Sequence, residues 1–191
     1  MLELLWSDVM IYMFLANGFE EVEALAPADV LRRAGIDVVL VGVGGEVITG
    51  SHGVSVVCNM TDSDFLPNTD MQGIFLPGGM PGTINLEKSP VVSGAINHCL
   101  DNGLLICAIC AAPSILGHKG ILEGKKAVCF PGFEEELFGA QIPDSCICED
   151  GNILTAKGMG SAVEFGIRIA ARLAGESKAK AIRSSLQIYH D

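Results

Sequence analysis

Short apolar runs alternate with longer segments whose apolar residues recur every three or four positions, and this alternation predicts strands and helices in turn. Residues Met10 to Ala16 form the first strand-like run. Glu20 to Arg33 follows with apolar residues at 22, 25, 26, 30 and 31, the spacing of a helix, and Gly35 closes it. Pro27 should bend that helix or delay its regular part, because it removes an N–H and its ring crowds the preceding turn. Ile36 to Val41 is a second strand, and "GVGGEVITGSHGVSVVC" after it has the glycine brackets of a hairpin.

Ile74 to Leu76 is a strand that runs into "PGGMPG". Ser89 and Pro90 make an N-cap and first-turn pair for a helix to about Leu100, closed by Gly103. Leu104 to Ile109 is apolar at every position, as expected for a central parallel strand covered on both faces. Lys126 to Phe130, Ser145 to Cys148 and Ile153 to Thr155 are the later strands, the last two joined by the tight turn "EDGN". "GMGSAVEFGIRIAARLAG" opens with glycines, carries helical spacing and ends at Gly175. Strand and helix in alternation make an α/β fold, a doubly wound sandwich whose central sheet is mostly parallel. No repeat or linker divides the 191 residues, so one domain is expected over 10–191. Residues 1–9 read as an N-terminal extension, either native or left by cloning.

Composition narrows the partners. Hydrophobic residues make up 49% and charged ones 18%, a globular balance, and 12 Lys+Arg against 23 Asp+Glu give a net charge of −11. That field repels phosphate backbones and anionic lipid, which argues against nucleic acid and membrane partners. The basic "ESKAKAIRSS" near the end reads as the solvated face of a helix. Seven cysteines, at 58, 99, 107, 110, 129, 146 and 148, are an odd number set mostly in apolar runs, which suits a reducing, cytoplasmic setting better than a disulfide framework. The N-terminus has no basic, cleavable leader pattern, and no apolar run approaches a membrane span.

One cysteine stands apart. Cys110 falls where the all-apolar strand passes into a helix, at the carboxyl edge of the sheet where α/β folds keep their reactive groups. Ala108 and Ala112 flank it at two residues on either side, meeting the steric demand that glycines meet in a nucleophile elbow. A helix from Ala111, with Pro113 in its first turn, would aim unpaired N–H groups at the sulfur and lower the thiol pKa. A structural cysteine at a strand end is the plainer alternative. A redox pair of Cys107 with Cys110 is disfavoured because Cys107 lies within the strand.

Gly78 and Gly79 in "LPGGMPG" sit at another strand end, where their N–H groups can form an oxyanion hole or merely a turn. In "NGFEEVEAL", Glu20 and Glu21 suit a solvated helix start, while Glu23 can face inward to the same crevice. A glutamate facing a cysteine in a partly dry pocket should hold its proton and act as a proton shuttle. His52, His98, His118 and His190 show no ligand spacing with one another or with the cysteines, so no metal site is expected. His98 and His118 read as helix-face residues and His190 as tail.

Taken together, "LANGFEEVEALAPADVLRRAGIDV", "FLPGGMPGTINL", "AICAAPSIL" and "LTAKGMGSAVEFGIRIAARLAG" resemble the ThiJ/PfpI superfamily in its Parkinsonism-associated deglycase branch. The resemblance runs in order over nearly all of 10–190 and implies a flavodoxin-like three-layer sandwich, usually a homodimer, with a nucleophile elbow. It implies Cys110 as reactive cysteine, Glu23 as its protonated partner, and oxyanion-hole amides at Gly79 and Ala111 with Gly78 adjoining. It places His52 where family dimers reach the partner's active site; an exposed loop histidine is the plain alternative. The protease-like branch has a histidine directly after the cysteine, and Ala111 here argues against peptidase activity. Active glyoxalase members often have a histidine before the proline matched by Pro131, where this chain has Phe130.

The implied function is a cofactor-free glyoxalase or deglycase acting on small 2-oxoaldehydes such as methylglyoxal. The alternative is a redox-sensing stress protein working through oxidation of Cys110. A thiazole monophosphate biosynthesis label also attaches to the family, but no phosphate-gripping basic cluster in the sequence supports it.

Overall fold

The computed structural model describes residues 9–188, so nearly all of the expected 1–9 extension and His190 lie outside the described residues. The strands of the main sheet are β1 (Met10–Ala16), β2 (Asp37–Val43), β5 (Met60–Thr61), β6 (Met71–Leu76), β7 (Leu105–Ile109), β8 (Ile147–Asp150) and β9 (Ile153–Ala156). They lie side by side in the order β5-β2-β1-β6-β7-β9-β8. All neighbours run parallel except β8, which pairs antiparallel to β9 across the Gly151 turn. A separate hairpin joins β3 (Val47–Thr49) to β4 (Ser55–Val57). The inner order β2-β1-β6-β7-β9 is the flavodoxin-like order, with its switch point beside β1 and β6.

Alternation along each strand divides the core. On one face Ile11, Met13, Leu15, Phe75 and Cys107 pack under α1 (Glu21–Arg33), α5 (Ala162–Ala174) and α6 (Glu176–Ser185). On the other face Tyr12, Phe14, Ile74 and Ile106 pack under α2 (Gly82–Lys88), α3 (Pro90–Asn102) and α4 (Pro113–His118). All five residues of β7 are buried, as its unbroken apolar run predicts. The Phe75 and Phe165 rings, 5.6 Å apart, tie the sheet to α5. No helix among the described residues is long and apolar enough to cross a membrane.

Two expectations change. Residues 126–130 are not a strand: they make one isolated bridge, Lys126 with Gln141, and no ladder. Ala127 N–H donates to the Gln141 carbonyl, Val128 N–H to Thr155 Oγ1 and Phe130 N–H to the Cys110 carbonyl. Both edges of β9 are already taken by β7 and β8, which leaves this segment no ladder to join. Pro27 does not interrupt α1, which runs unbroken from Glu21 to Arg33 with Pro27 buried against α5. Gly166 permits that contact, since a β-carbon there would come within 3.0 Å of Pro27 Cα.

Candidate functional site

Cys110 leaves β7 with φ 65°, one of two described non-glycine residues with positive φ. That conformation costs roughly 1–3 kcal/mol and persists because neighbours fix it. Its N–H donates to the Ala156 carbonyl at 2.9 Å and its carbonyl accepts from Phe130 N–H at 2.8 Å. Ala108, Ala111 and Ala112 are buried around it, so larger side chains have no room. Gly78 passes closer still: a β-carbon there would lie 2.5 Å from Cys110 Cβ and 2.6 Å from Glu23 Oε2. This is the strand–turn–helix elbow that the alanine spacing suggests, although α4 begins at Pro113 rather than Ala111 and has only six residues.

Glu23, third residue of α1, is 2% exposed and points into the same crevice. Gly78 N–H donates to Glu23 Oε2 at 3.1 Å, the Met159 amide donates to the same carboxyl, and Cys110 and Glu23 hydrogen-bond through their side chains. Burial is the main reason that the Glu23 carboxyl is pushed up to about 7, with the Glu20 charge adding to it and the hydrogen bonds opposing it. Cys110, partly exposed, is also pushed up, to about 12, first by burial and then by the charge and hydrogen bond of Glu23. The Ala111 and Gly79 amides at the sulfur act in the opposite direction.

The lowering of the thiol pKa expected from a helix end is therefore not the net result. The short α4 starts two residues late, and burial of the thiol together with the neighbouring carboxyl outweighs two amides. Burial first and the Glu23 charge second hold the Cys110 thiol up, burial holds the Glu23 carboxyl near 7, and the hydrogen bond between them couples the two protons.

The expected site residues fall as follows. Cys110, Glu23, Gly79 and Ala111 converge. Gly78 adjoins them, but its N–H is given to Glu23 and is not free to hold an oxyanion, which corrects that part of the expectation. Cys107 is fully buried in β7 and its thiol is pushed well up by burial, consistent with setting the redox pair aside.

Glu21 is not on a solvated face as expected: it is 7% exposed and accepts hydrogen bonds from the His52 and Val54 amides. Burial pushes its carboxyl up, but these amides and the His52 ring outweigh burial and leave it lowered. The ring of His52, with a side chain 71% exposed, lies 3.2 Å from Glu21 and 3.3 Å from Glu20. Glu20, Glu21 and His52 thus bring one ligand atom each within 4.8 Å of one another, a grouping hidden from ligand spacing because His52 comes 31 residues after Glu21. Their atoms are engaged with one another and with Ser51, as the closure of the hairpin loop onto α1.

His118 is more than a helix-face residue: its two ring nitrogens meet Glu87 at 2.5 Å and Glu136 at 2.8 Å. Sequence reasoning missed the Met159 amide as a partner of Glu23. The signal available was "KGMG" directly after a strand, at the same sheet edge as "PGGMPG".

A model of the DJ-1/PfpI family matches residues 9–172. Protein dj-1beta of Drosophila melanogaster is 34% identical over 182 residues, covering 94% of this chain and 97% of that protein. Its crystal structure superposes with a TM-score of 0.86 at 33% identity, over 95% of this chain and 99% of that one. Glutathione-independent glyoxalase DJR-1.2 of Caenorhabditis elegans is 30% identical over 169 residues, 87% of this chain and 89% of that protein. Of two longer Arabidopsis thaliana relatives, Protein DJ-1 homologs B and A, the chain spans 40% and 45%.

Proposed function

Because the chain belongs to the DJ-1/PfpI family, we propose that it is a cysteine-dependent, cofactor-free enzyme of glyoxalase or deglycase type, acting on small 2-oxoaldehydes such as methylglyoxal. One observation carries the reading: a partly exposed thiol at a strained elbow is hydrogen-bonded to a carboxyl that burial holds near 7. The worm relative named as a glyoxalase supports the reaction class.

The reactive form is the singly ionised pair in which the remaining proton sits on Glu23, across its hydrogen bond with Cys110. The reactive state is then Cys110 thiolate beside neutral Glu23. Sγ adds to the aldehyde carbon, and the carbonyl electron pair moves onto oxygen, which the Gly79 and Ala111 amides steady and Glu23 protonates. Glu23, now a carboxylate, removes the hydrogen from the former aldehyde carbon and returns a proton to the adjacent carbon, while the hydroxyl proton passes to the neighbouring oxygen through the enediol. The aldehyde carbon is oxidised to a thioester as its neighbour is reduced to an alcohol. Water cleaves the thioester, releasing the 2-hydroxy acid and restoring the thiolate and neutral Glu23.

Consumption of methylglyoxal by the wild type, Cys110→Ser and Glu23→Gln tests this. Both variants should lose about a hundredfold or more of kcat/KM, the usual scale of a lost nucleophile or proton carrier. Unchanged turnover in Cys110→Ser would overturn the reading. So would a wild type that leaves methylglyoxal untouched while mild peroxide adds two oxygens to Cys110, the behaviour of a redox sensor.

A further inference from the structure

Beside Glu23 lies a cavity of about 420 Å3, within the range of small-molecule sites, roughly 300–1,000 Å3. Its apolar walls are Phe130, Pro131, Ile147 and Met159, with Lys157 and Glu164 at its polar side. Phe130 is 48% exposed and Met159 59% exposed, so two large apolar side chains face the opening without core packing to cover them. The Phe130 wall is fixed to the elbow, since its N–H donates to the Cys110 carbonyl.

Gly158 forms the threshold between cavity and reacting pair. A β-carbon there would sit 3.3 Å from Phe130 Cδ2 and 3.7 Å from Glu23 Oε1. Its φ of 165° is extended backbone open to any residue, so conformation does not demand glycine. What the missing side chain does is leave the way open from the carboxyl to the apolar cavity.

We propose that this cavity is a subsite for an apolar, aryl-sized substituent on the carbon next to the aldehyde, so that the chain prefers aryl 2-oxoaldehydes to methylglyoxal. The inference rests on the aldehyde reading above and names its substrate class. Phe130 then serves as a wall that stacks on the ring and sets specificity. Lys157, at the polar side of the cavity, is paired with Asp144 at 3.9 Å.

Two measurements separate the subsite from the chemistry. The first is the ratio of kcat/KM for phenylglyoxal over methylglyoxal, with Cys110→Ser as the blank. The wild type should favour phenylglyoxal by about tenfold or more, the scale set by filling an apolar pocket. The ratio should fall toward one in Phe130→Ala and in Gly158→Val, whose side chain plugs the threshold.

The second uses the unreactive probes acetophenone and acetone, titrated by NMR into Cys110→Ser protein. Acetophenone should bind at least about tenfold more tightly and shift the Phe130 and Gly158 amides, and adding Phe130→Ala should erase the preference. Equal binding of the two ketones, with equal turnover of the two aldehydes, would overturn the subsite and leave the aldehyde reading standing. Phe130-dependent acetophenone binding by a protein that turns over neither aldehyde would support the subsite and overturn the aldehyde reading.

Discussion

Cys110 and Glu23 hold each other in unfavourable states, and each has a different cause. The sulfur sits on backbone at φ 65°, fixed by its hydrogen bonds to Ala156 and Phe130 and by the lack of a side chain at Gly78. The carboxyl is held near 7 by burial, above its ordinary 4.5. Between those two pH values the folded protein binds a proton that the unfolded chain has already released, so stability falls as pH rises through this window. Above it the penalty is complete, up to about 3 kcal/mol.

Glu23→Gln removes the ionisation and should raise the unfolding free energy at pH 8 by up to that amount, with the gain fading below pH 5. Denaturant unfolding at the two pH values checks it, and an equal difference at both would contradict it. Cys110 and Glu23 were legible because local cues, small neighbours at a strand end and helical position, bear on them directly. Glu21 was misread as solvated because the amides that bury it belong to a loop about 30 residues further along the chain.

Among the elements, the parallel strands were legible wherever both faces are buried, since β1 and β7 show the run of apolar residues that such burial requires. The segment 126–130 was misassigned for the converse reason: its middle, Ala127 to Cys129, is apolar and buried, but the sheet edge it would need is occupied. Pairing partners far along the chain leave no mark in a local pattern.

The same is true of His118, whose ring joins Glu87 at the end of α2 to Glu136 beyond α4. Hydrogen bonds to Glu136 and Glu87 raise its pKa from 6.5. The clasp is therefore fully formed below about 6.5 and is lost as pH rises through the elevated folded value. His118→Gln should cost no more than about 1 kcal/mol at pH 6, because partly exposed pairs are screened by water, and less at pH 9. Thermal unfolding of both proteins at the two pH values measures it; a loss that grows with pH would contradict the clasp.

At the scale of the whole molecule, the sheet order does the gathering. Glu23 follows β1, Gly78 and Gly79 follow β6, Cys110 follows β7 and Met159 follows β9, so strands adjacent or nearly so in the sheet deliver four distant stretches of chain to one carboxyl edge. The edge was legible from alternating strands and helices, whereas the exchange of Gly78's amide from oxyanion donor to carboxyl partner required the packing of α1 against it. With a net charge of −11 around it, the crevice holds a further negative charge only by confining it to one pair of atoms and two sets of amides.

Where that charge rests is the central claim, and the ultraviolet thiolate absorbance of the wild type minus that of Cys110→Ser, followed against pH, reads it directly. The account predicts thiolate absorbance in the wild type as the pair gives up its first proton, with Glu23 still protonated. A sulfur that stays protonated until pH approaches 12, with Glu23 alone ionising near 7, would contradict it.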